Sequence, residues 1–381
     1  MLRIAFMSIL DPESRLNFSG TLFYMLNSLQ SLEDVSVSVL GKEFFGKQTR
    51  KGSLARILES LSRRSKLAKD LYAKYWDWAL SRSIKDDLSK DKFDIIFAPV
   101  ASRAIANYLP ENSSHKIVFV TDATPKFIEQ NYGWHVNQEA HQNEIVAIRK
   151  SSLVIYSSQY MADLAKNDYP HAFQGKTPMA LSFGLNMDTA PHNHITKSGA
   201  ITRLLFVGRF WERKGGDIAI NCLENLLQIG INAHLTIVGC TPPNPVDKTY
   251  ISVIPFLNKN HPKEQETFFK LLSDSHYLLL PTRADCTPMV IAEANAFSIP
   301  VLSTNVGGIP TLIDEGKNGF MFDTEDSAEV YSNKIAEIGK IDGESYKKLC
   351  KSSFDIYKTK LNWNAWATQL LEVIRNHLST T

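Results

Sequence analysis

The run from Leu278 to Phe320 leaves this chain few folds to adopt. It reads LLLPTRADCTPMVIAEANAFSIPVLSTNVGGIPTLIDEGKNGF. The segment His276 to Pro281 is apolar without alternation, as expected of a strand in a parallel sheet covered on both faces. A short polar turn follows, Thr282 to Cys286. Thr287 and Pro288 then suit an N-cap and a first helical position, because proline lacks an N–H that this position leaves unused. The predicted helix continues through Met289, Val290, Ile291, Glu293 and Ala296. A second apolar strand, Ile299 to Ser303, leads to the glycine pair Gly307 and Gly308.

A strand, a turn and a helix in this order open the helix N-terminus at the carboxyl end of the sheet. Amides near Met289 and Val290, together with the positive end of the helix dipole, make an anion site. Asp285 and Glu293 flank it, with seven residues between them. A helix end for phosphate and carboxylates for hydroxyls suit a sugar nucleotide. An ordinary βαβ unit with a surface Asp and Glu has the same spacing.

The whole stretch resembles the donor-binding signature of retaining glycosyltransferases of family 4, which have the GT-B fold. That pattern has two acids separated by seven residues, then Ala, then Gly-Gly-Ile after a Pro-Val strand. Its counterparts here are Asp285, Glu293, Ala294, Pro300, Val301, Gly307, Gly308 and Ile309. The first acid is usually Glu; Asp285 is one methylene shorter.

Length and composition agree with an ordinary globular protein. A chain of 381 residues accommodates two domains. With 44% hydrophobic and 22% charged residues it is expected to be globular. A net charge of +2 gives no general case for nucleic acid. Cys222, Cys240, Cys286 and Cys350 are far apart and form no CxxC, so they read as reduced thiols. Cys286 reads as small buried filler. No apolar run reaches the length of a membrane span, and the opening MLRIAFMSIL reads as a first buried strand, so cytoplasmic residence is expected.

The N-terminal half begins with a strand, Leu2 to Ile9, and a helix from Thr21 to Leu32. Ser19 and Gly20 stand at the helix mouth, where glycine lets the backbone approach a ligand; a turn glycine after an N-cap serine fits equally. The resemblance implies that this loop faces the donor diphosphate and the acceptor, with Asn17, Ser19 and Gly20 as its candidates. The strand Lys116 to Thr121 puts Thr121, Asp122 and Thr124 at the carboxyl edge of the sheet, where open α/β sheets bind ligands. Many family members place a histidine near this point against the donor sugar; Asp122 holds the comparable place here. His135 and His141 follow in a polar segment where a lone histidine is ordinarily a surface or capping residue; His135 stands as an acceptor-side candidate.

Lys42 to Lys92 differs in character, with fourteen Lys or Arg against seven acids. Leu54, Ile57, Leu58, Leu61, Leu67, Leu71, Tyr75 and Trp78 fall near helical spacing, and Tyr72 and Trp76 add aromatics. A basic amphipathic helix of this kind fits an anionic membrane surface. A helix that covers a sheet with one face and meets water with the other shows the same pattern.

A polar segment, Thr189 to Gly199, reads as the linker. The strand Arg203 to Val207 after it leads into Gly208, Arg209, Lys214, Gly215 and Gly216, then a helix from Asp217. Each half thus begins with a strand, a glycine-bearing turn and a helix, and two Rossmann-like domains explain this. GRFWERKGG is neither a P-loop nor GxGxxG. It does match the family's Gly-Arg…Lys-Gly pattern, which implies that Arg209 and Lys214 bind the donor diphosphate beside Gly208. Two fixed cations stabilise a departing diphosphate without a metal. The resemblance also places the loop after Ile251 on the nucleobase, with Phe256 and Leu257 as contacts that fit a core equally well.

The expectation is therefore an α/β protein of GT-B type, two Rossmann-like domains with parallel sheets facing a central cleft. It comprises an acceptor domain (1–190), a donor domain (191–360) and a last helix (361–381) crossing back to the first. The implied reaction moves a sugar, with retention, from a UDP- or GDP-linked donor to a glycan or lipid-linked acceptor. Glu293 would hold the ribose, Asp285 the sugar hydroxyls, and the main chain from Thr287 through Pro288, Met289 and Val290 the sugar and phosphate. Asp122 joins Arg209, Lys214 and Asp285 as a catalytic candidate; no cofactor or metal is expected. A glycoside hydrolase, an epimerase or phosphorylase of the same architecture, and a catalytically weak binding or scaffold protein are the competing readings.

Overall fold

A computed structural model describes residues 1–49, 65–111, 115–188, 190–341 and 343–380. Its strands form two six-stranded sheets. By compactness the chain divides into one unit of Met1–Tyr156, Ala162–Ala180 and Ile374–Thr381, and a second of Ser157–Met161 and Leu181–Val373.

In the first unit β1 (Leu2–Phe6), β2 (Val35–Val39), β3 (Ile95–Pro99), β4 (Lys116–Thr121), β5 (Leu153–Tyr156) and β6 (Met179–Ala180) are arranged in the order β2-β1-β3-β4-β5-β6. All pairs are parallel. The strand order turns between β1 and β3, so ligand-binding loops are expected at their carboxyl ends. Every residue of β3 and β5 is buried, which explains their apolar runs without alternation.

The second unit repeats the design with β7 (Thr202–Val207), β8 (Ala233–Val238), β9 (Ile251–Ile254), β10 (Tyr277–Leu280), β11 (Val301–Thr304) and β12 (Gly319–Phe322). Their order is β12-β11-β10-β7-β8-β9, again all parallel. Leu204, Phe206, Tyr277 and Leu279 belong to one core cluster, with residues of the helices Gly216–Gln228 and Ala328–Ile338. Leu205, Leu278 and Leu280 belong to the other, with residues of Pro262–Asp274 and Met289–Ala296. Alternate residues of each strand therefore serve opposite faces. The order turns between β7 and β10, and the loops after these two strands carry Arg209, Lys214 and Asp285.

Several boundaries differ from the sequence expectation. The segment from 181 to 199, drawn as the end of the first domain and a linker, is grouped with and held on the second unit. Lys197 is buried, and its Nζ donates to Leu272 O at 3.1 Å and Ser273 O at 2.8 Å. Ile195 N–H donates to Ser298 Oγ at 2.9 Å. The polar segment around His141 is a helix, Gln138–Lys150, capped by Asn137, whose side chain accepts from Ala140 N–H. It escaped the sequence reading because its inward residues include Asn143 and Glu144. Leu54, Ile57, Leu58 and Leu61 of the basic segment lie outside the described residues; its later part is the helix Lys66–Lys90.

Candidate functional site

The site in the second unit is assembled from two adjacent strand ends. Beyond β7, Gly208 and Arg209 precede a single helical turn, Trp211–Lys214. Beyond β10, the turn through Asp285 leads to the helix Met289–Ala296. The backbone ties the two together: Arg283 N–H donates to Arg213 O at 2.7 Å, and Arg213 Nη1 reaches Ala284 O at 2.7 Å. Thr282 Oγ1 also donates to Arg213 O, at 3.0 Å. Arg283 clasps Asp217 with two hydrogen bonds, 3.0 and 2.7 Å, which hold the Asp217 carboxyl below its ordinary range.

In this frame the Lys214 ammonium pairs with the Asp285 carboxylate, both side chains nearly out of water. Gly208 is required by this geometry, since a Cβ there would come within 2.7 Å of Lys214 Cγ. The glycine pair supports the same turn from the other side. A Cβ on Gly307 would stand 1.9 Å from Asp285 O, and one on Gly308 1.6 Å from Cys286 O. Gly308 N–H donates to Asp285 O at 3.1 Å. Cys286 is buried, as filler beneath the turn.

Glu293, one helical segment further on, is 2% exposed and pairs with Lys259 Nζ. Lys259 lies in the loop after β9, is half-exposed, and also stands 5.2 Å from the centre of the Phe268 ring. Sequence reasoning missed it, because nothing in LNKNHPK indicates which lysine reaches a residue thirty-four positions away. Phe256 belongs to the same loop and is 55% exposed, so the core reading of it is corrected. The Arg209 guanidinium, itself exposed, lies 5.6 Å from the centre of its ring. Leu257 is partly buried against the cluster that includes Leu278 and Leu280.

The helix start also differs. Pro288, with ψ 103°, is the N-cap and Met289 the first helical residue, where the sequence suggested Thr287 and Pro288. Thr287 Oγ1 is engaged elsewhere, 2.5 Å from Ser157 Oγ within the same unit. Ile291 N–H makes the first backbone bond, to Pro288 O at 3.0 Å. Val290 points its side chain into the core.

The candidates of the first unit are described by themselves. Asn17 Nδ2 donates to Asp11 O at 2.9 Å. Phe18 and Ser19 have φ of 47° and 55°, a left-handed bend that few side chains adopt without support. Gly20, φ 85°, is the N-cap of Thr21–Gln30, so the expected cap at Ser19 is corrected. Asp122 is half-buried just past β4. Its charge adds to the burial that pushes Glu144 up to about 8. Glu144, absent from the sequence candidates, is buried and accepts from Tyr156 Oη at 3.2 Å. His135 stands almost fully in solvent, 3.9 Å from Glu129, and among the described residues no hydrogen bond fixes it in the way His141 is fixed by Glu129 and Tyr169.

A cation from one strand end and a carboxylate from its neighbour, at the turning point of a parallel sheet, make a recognisable arrangement, and comparison with known proteins decides what it belongs to. Residues 201–339 match the family described as "Glycosyl transferases group 1". This part of the chain is similar to glycosyl transferases group 1 domains. The chain is 26% identical over 206 residues to a putative colanic acid biosynthesis glycosyltransferase, WcaL, of Salmonella typhimurium, a match covering 50% of this chain and 49% of that protein. It is 25% identical to a D-inositol 3-phosphate glycosyltransferase of Corynebacterium efficiens over 43% of this chain and 40% of the relative. The chain therefore spans about half or less of the length of these two curated relatives. Among solved structures, a sucrose-phosphate synthase from Thermosynechococcus elongatus superposes with a TM-score of 0.63 at 14% identity, over 100% of each chain. Anabaena Alr3699/HepE in complex with UDP-glucose gives 0.57 at 15% identity, over 99% of this chain and 100% of that one. The chain has the GT-B fold, as the resemblance implied.

Proposed function

We propose that this protein is a retaining glycosyltransferase that moves a sugar from a UDP- or GDP-linked donor to a glycan or lipid-linked acceptor. The reading rests chiefly on one observation: Lys214 and Asp285, from the ends of β7 and β10, meet in an ion pair nearly out of water. A nucleotide diphosphate sugar offers partners for both groups, phosphate for the lysine and hydroxyls for the carboxylate. Arg209 and Lys214 take the charge that develops on the diphosphate as the bond to the sugar breaks, and no metal is needed for that task. Gly208 and Gly20 let the backbone come close to the phosphates, and the amides of Met289 and Val290 add hydrogen bonds beyond Thr287 and Pro288. Glu293 holds the ribose, Phe256 and Leu257 flank the nucleobase, and Asp122 faces the sugar. Asn17, Ser19 and His135 serve the acceptor. The protein works in the cytoplasm, in peripheral contact with the membrane through its basic segment.

One observation favours a second reading. Both carboxylates are already paired, Asp285 with Lys214 and Glu293 with Lys259, which suits a protein that binds nucleotide sugar without turning it over. Melting of the purified protein with UDP, GDP, ADP and CMP, without metal, tests the shared part. A nucleotide at a hundred times its dissociation constant adds about 2.7 kcal/mol. No shift with any of them sinks both readings. A shift without sugar transfer from the matching donor leaves the second.

A further inference from the structure

We infer that the outward face of the helix Lys66–Lys90 is a docking surface for anionic phospholipid. This sharpens the membrane contact proposed above, and its test reads lipid binding with no sugar transferred. On this helix Leu67, Leu71, Lys74, Trp78, Arg82 and Lys85 follow one another at spacings of three and four, which places them in a single stripe, with Tyr75 beside it. Leu67, Leu71 and Trp78 are exposed by 70%, 56% and 57%, and Lys74, Arg82 and Lys85 are exposed with them. The stripe runs about 27 Å along the helix axis.

The inner face is already occupied. Leu80 and Ile84 are buried against Gly41, and Asp87 accepts from Gly41 N–H at 2.8 Å. Trp76 makes ring contacts with Phe44 and Tyr72. Asp77 pairs with Arg103 at 3.0 Å. Among the described residues, the apolar stripe is therefore left over after the helix has packed.

Its charge selects the occupant. Asp77 and Asp87 are engaged inward, Asp70 stands at one edge, and Asp86 stands at the other, 4.0 Å from Arg82 Nε, so the stripe carries three cations, one of them paired at its edge. Arg82 lies over the Trp78 ring at 5.6 Å, and Trp78 is 6.3 Å from Tyr75. Leucines that enter the acyl boundary, a Trp and a Tyr at headgroup depth, and Lys and Arg reaching lipid phosphate are the combination that an interfacial helix presents.

The experiment is vesicle co-sedimentation of the full chain, with phosphatidylcholine alone and with phosphatidylcholine containing phosphatidylglycerol. The variants are Leu71→Asp with Trp78→Asp, and Lys74→Gln with Arg82→Gln and Lys85→Gln. All five side chains are exposed, and a melting curve confirms that each variant folds. Binding that requires phosphatidylglycerol is expected, weakened more than tenfold by the apolar variant and roughly fivefold for each cation removed. Wild-type protein that ignores phosphatidylglycerol, or variants that bind as the wild type does, overturn the inference. So does a wild-type dimer that the apolar variant dissociates while lipid binding is absent, since a second copy then covers the stripe.

Discussion

The ammonium of Lys214 rests on the carboxylate of Asp285, seventy-one residues away in the chain, with only 12% and 8% of the two side chains exposed. Each group thus offsets the other's desolvation. Lys214→Met should lower unfolding free energy by about 3 kcal/mol, the usual cost of leaving one buried charge unpaired. Adding Asp285→Asn to that variant should recover much of the stability and none of the turnover. Urea denaturation and turnover on the donor chosen by the melting experiment check both parts. If the double variant were as active as the wild type, neither residue would belong to the reaction.

Arg209 is exposed, and its guanidinium lies 5.6 Å from the centre of the exposed Phe256 ring, so its loss should leave stability nearly unchanged. Arg209→Ala should nevertheless slow turnover by roughly two to three orders of magnitude, the usual size for one transition-state donor. A rate within a few fold of wild type removes Arg209 from the catalytic set.

Glu293 is buried and its described side-chain partner is Lys259. If the ribose takes that carboxylate, Glu293→Gln should weaken ribonucleotide binding more than tenfold, since a hydrogen bond to a charged group contributes about 1.5–3 kcal/mol. The 2′,3′-dideoxy analogue should lose far less. Equal losses for the two nucleotides, measured by calorimetry, would assign Glu293 to structure.

Gly308→Ala places a methyl group 1.6 Å from Cys286 O, where backbone must move. A loss of about 2 kcal/mol or more is expected from such overpacking. Nucleotide binding should fall with it, because the displaced turn carries Asp285. A variant that melts normally yet binds no nucleotide contradicts this coupling.

Stability should also depend on pH through Glu144. Burial raises its carboxyl from 4.5 to about 8, so between these values the folded chain keeps a proton that the unfolded chain has released. Its contribution is complete below the unfolded value and is lost as pH rises through about 8. His276 acts oppositely: burial lowers it to about 4 from 6.5, and its contribution is lost on acidification below 6.5. Glu144→Gln should flatten the alkaline fall while leaving the acid side in place. Melting temperatures from pH 5 to 9 test this, and identical profiles for both proteins defeat it.

Much of the second unit could be read from residues alone. Tyr277 to Leu280 and Leu204 to Val207 are apolar without alternation because helices cover both faces of their sheet, and that burial leaves its mark directly in composition. Asp285 and Glu293 stood out by spacing, as did Arg209 and Lys214 by pattern. What these residues touch depends on contacts between segments far apart in sequence. Gly307 and Gly308 were legible as a motif, yet their reason, two carbonyls of the Asp285 turn lying where a Cβ would be, exists only once β10 and β11 lie side by side. Lys259 reaches Glu293 from a loop with no periodicity to betray its direction. Glu144 went unseen because a buried carboxyl looks like any surface glutamate until Tyr156 and the sheet edge enclose it. The stripe of Leu67, Leu71, Tyr75 and Trp78 was visible as helical, but whether it faces the protein or the outside was decided by Trp76, Leu80 and Ile84, which took the inner position first. Local sequence sets periodicity and chemistry, and long-range packing decides which face is buried and which charges meet.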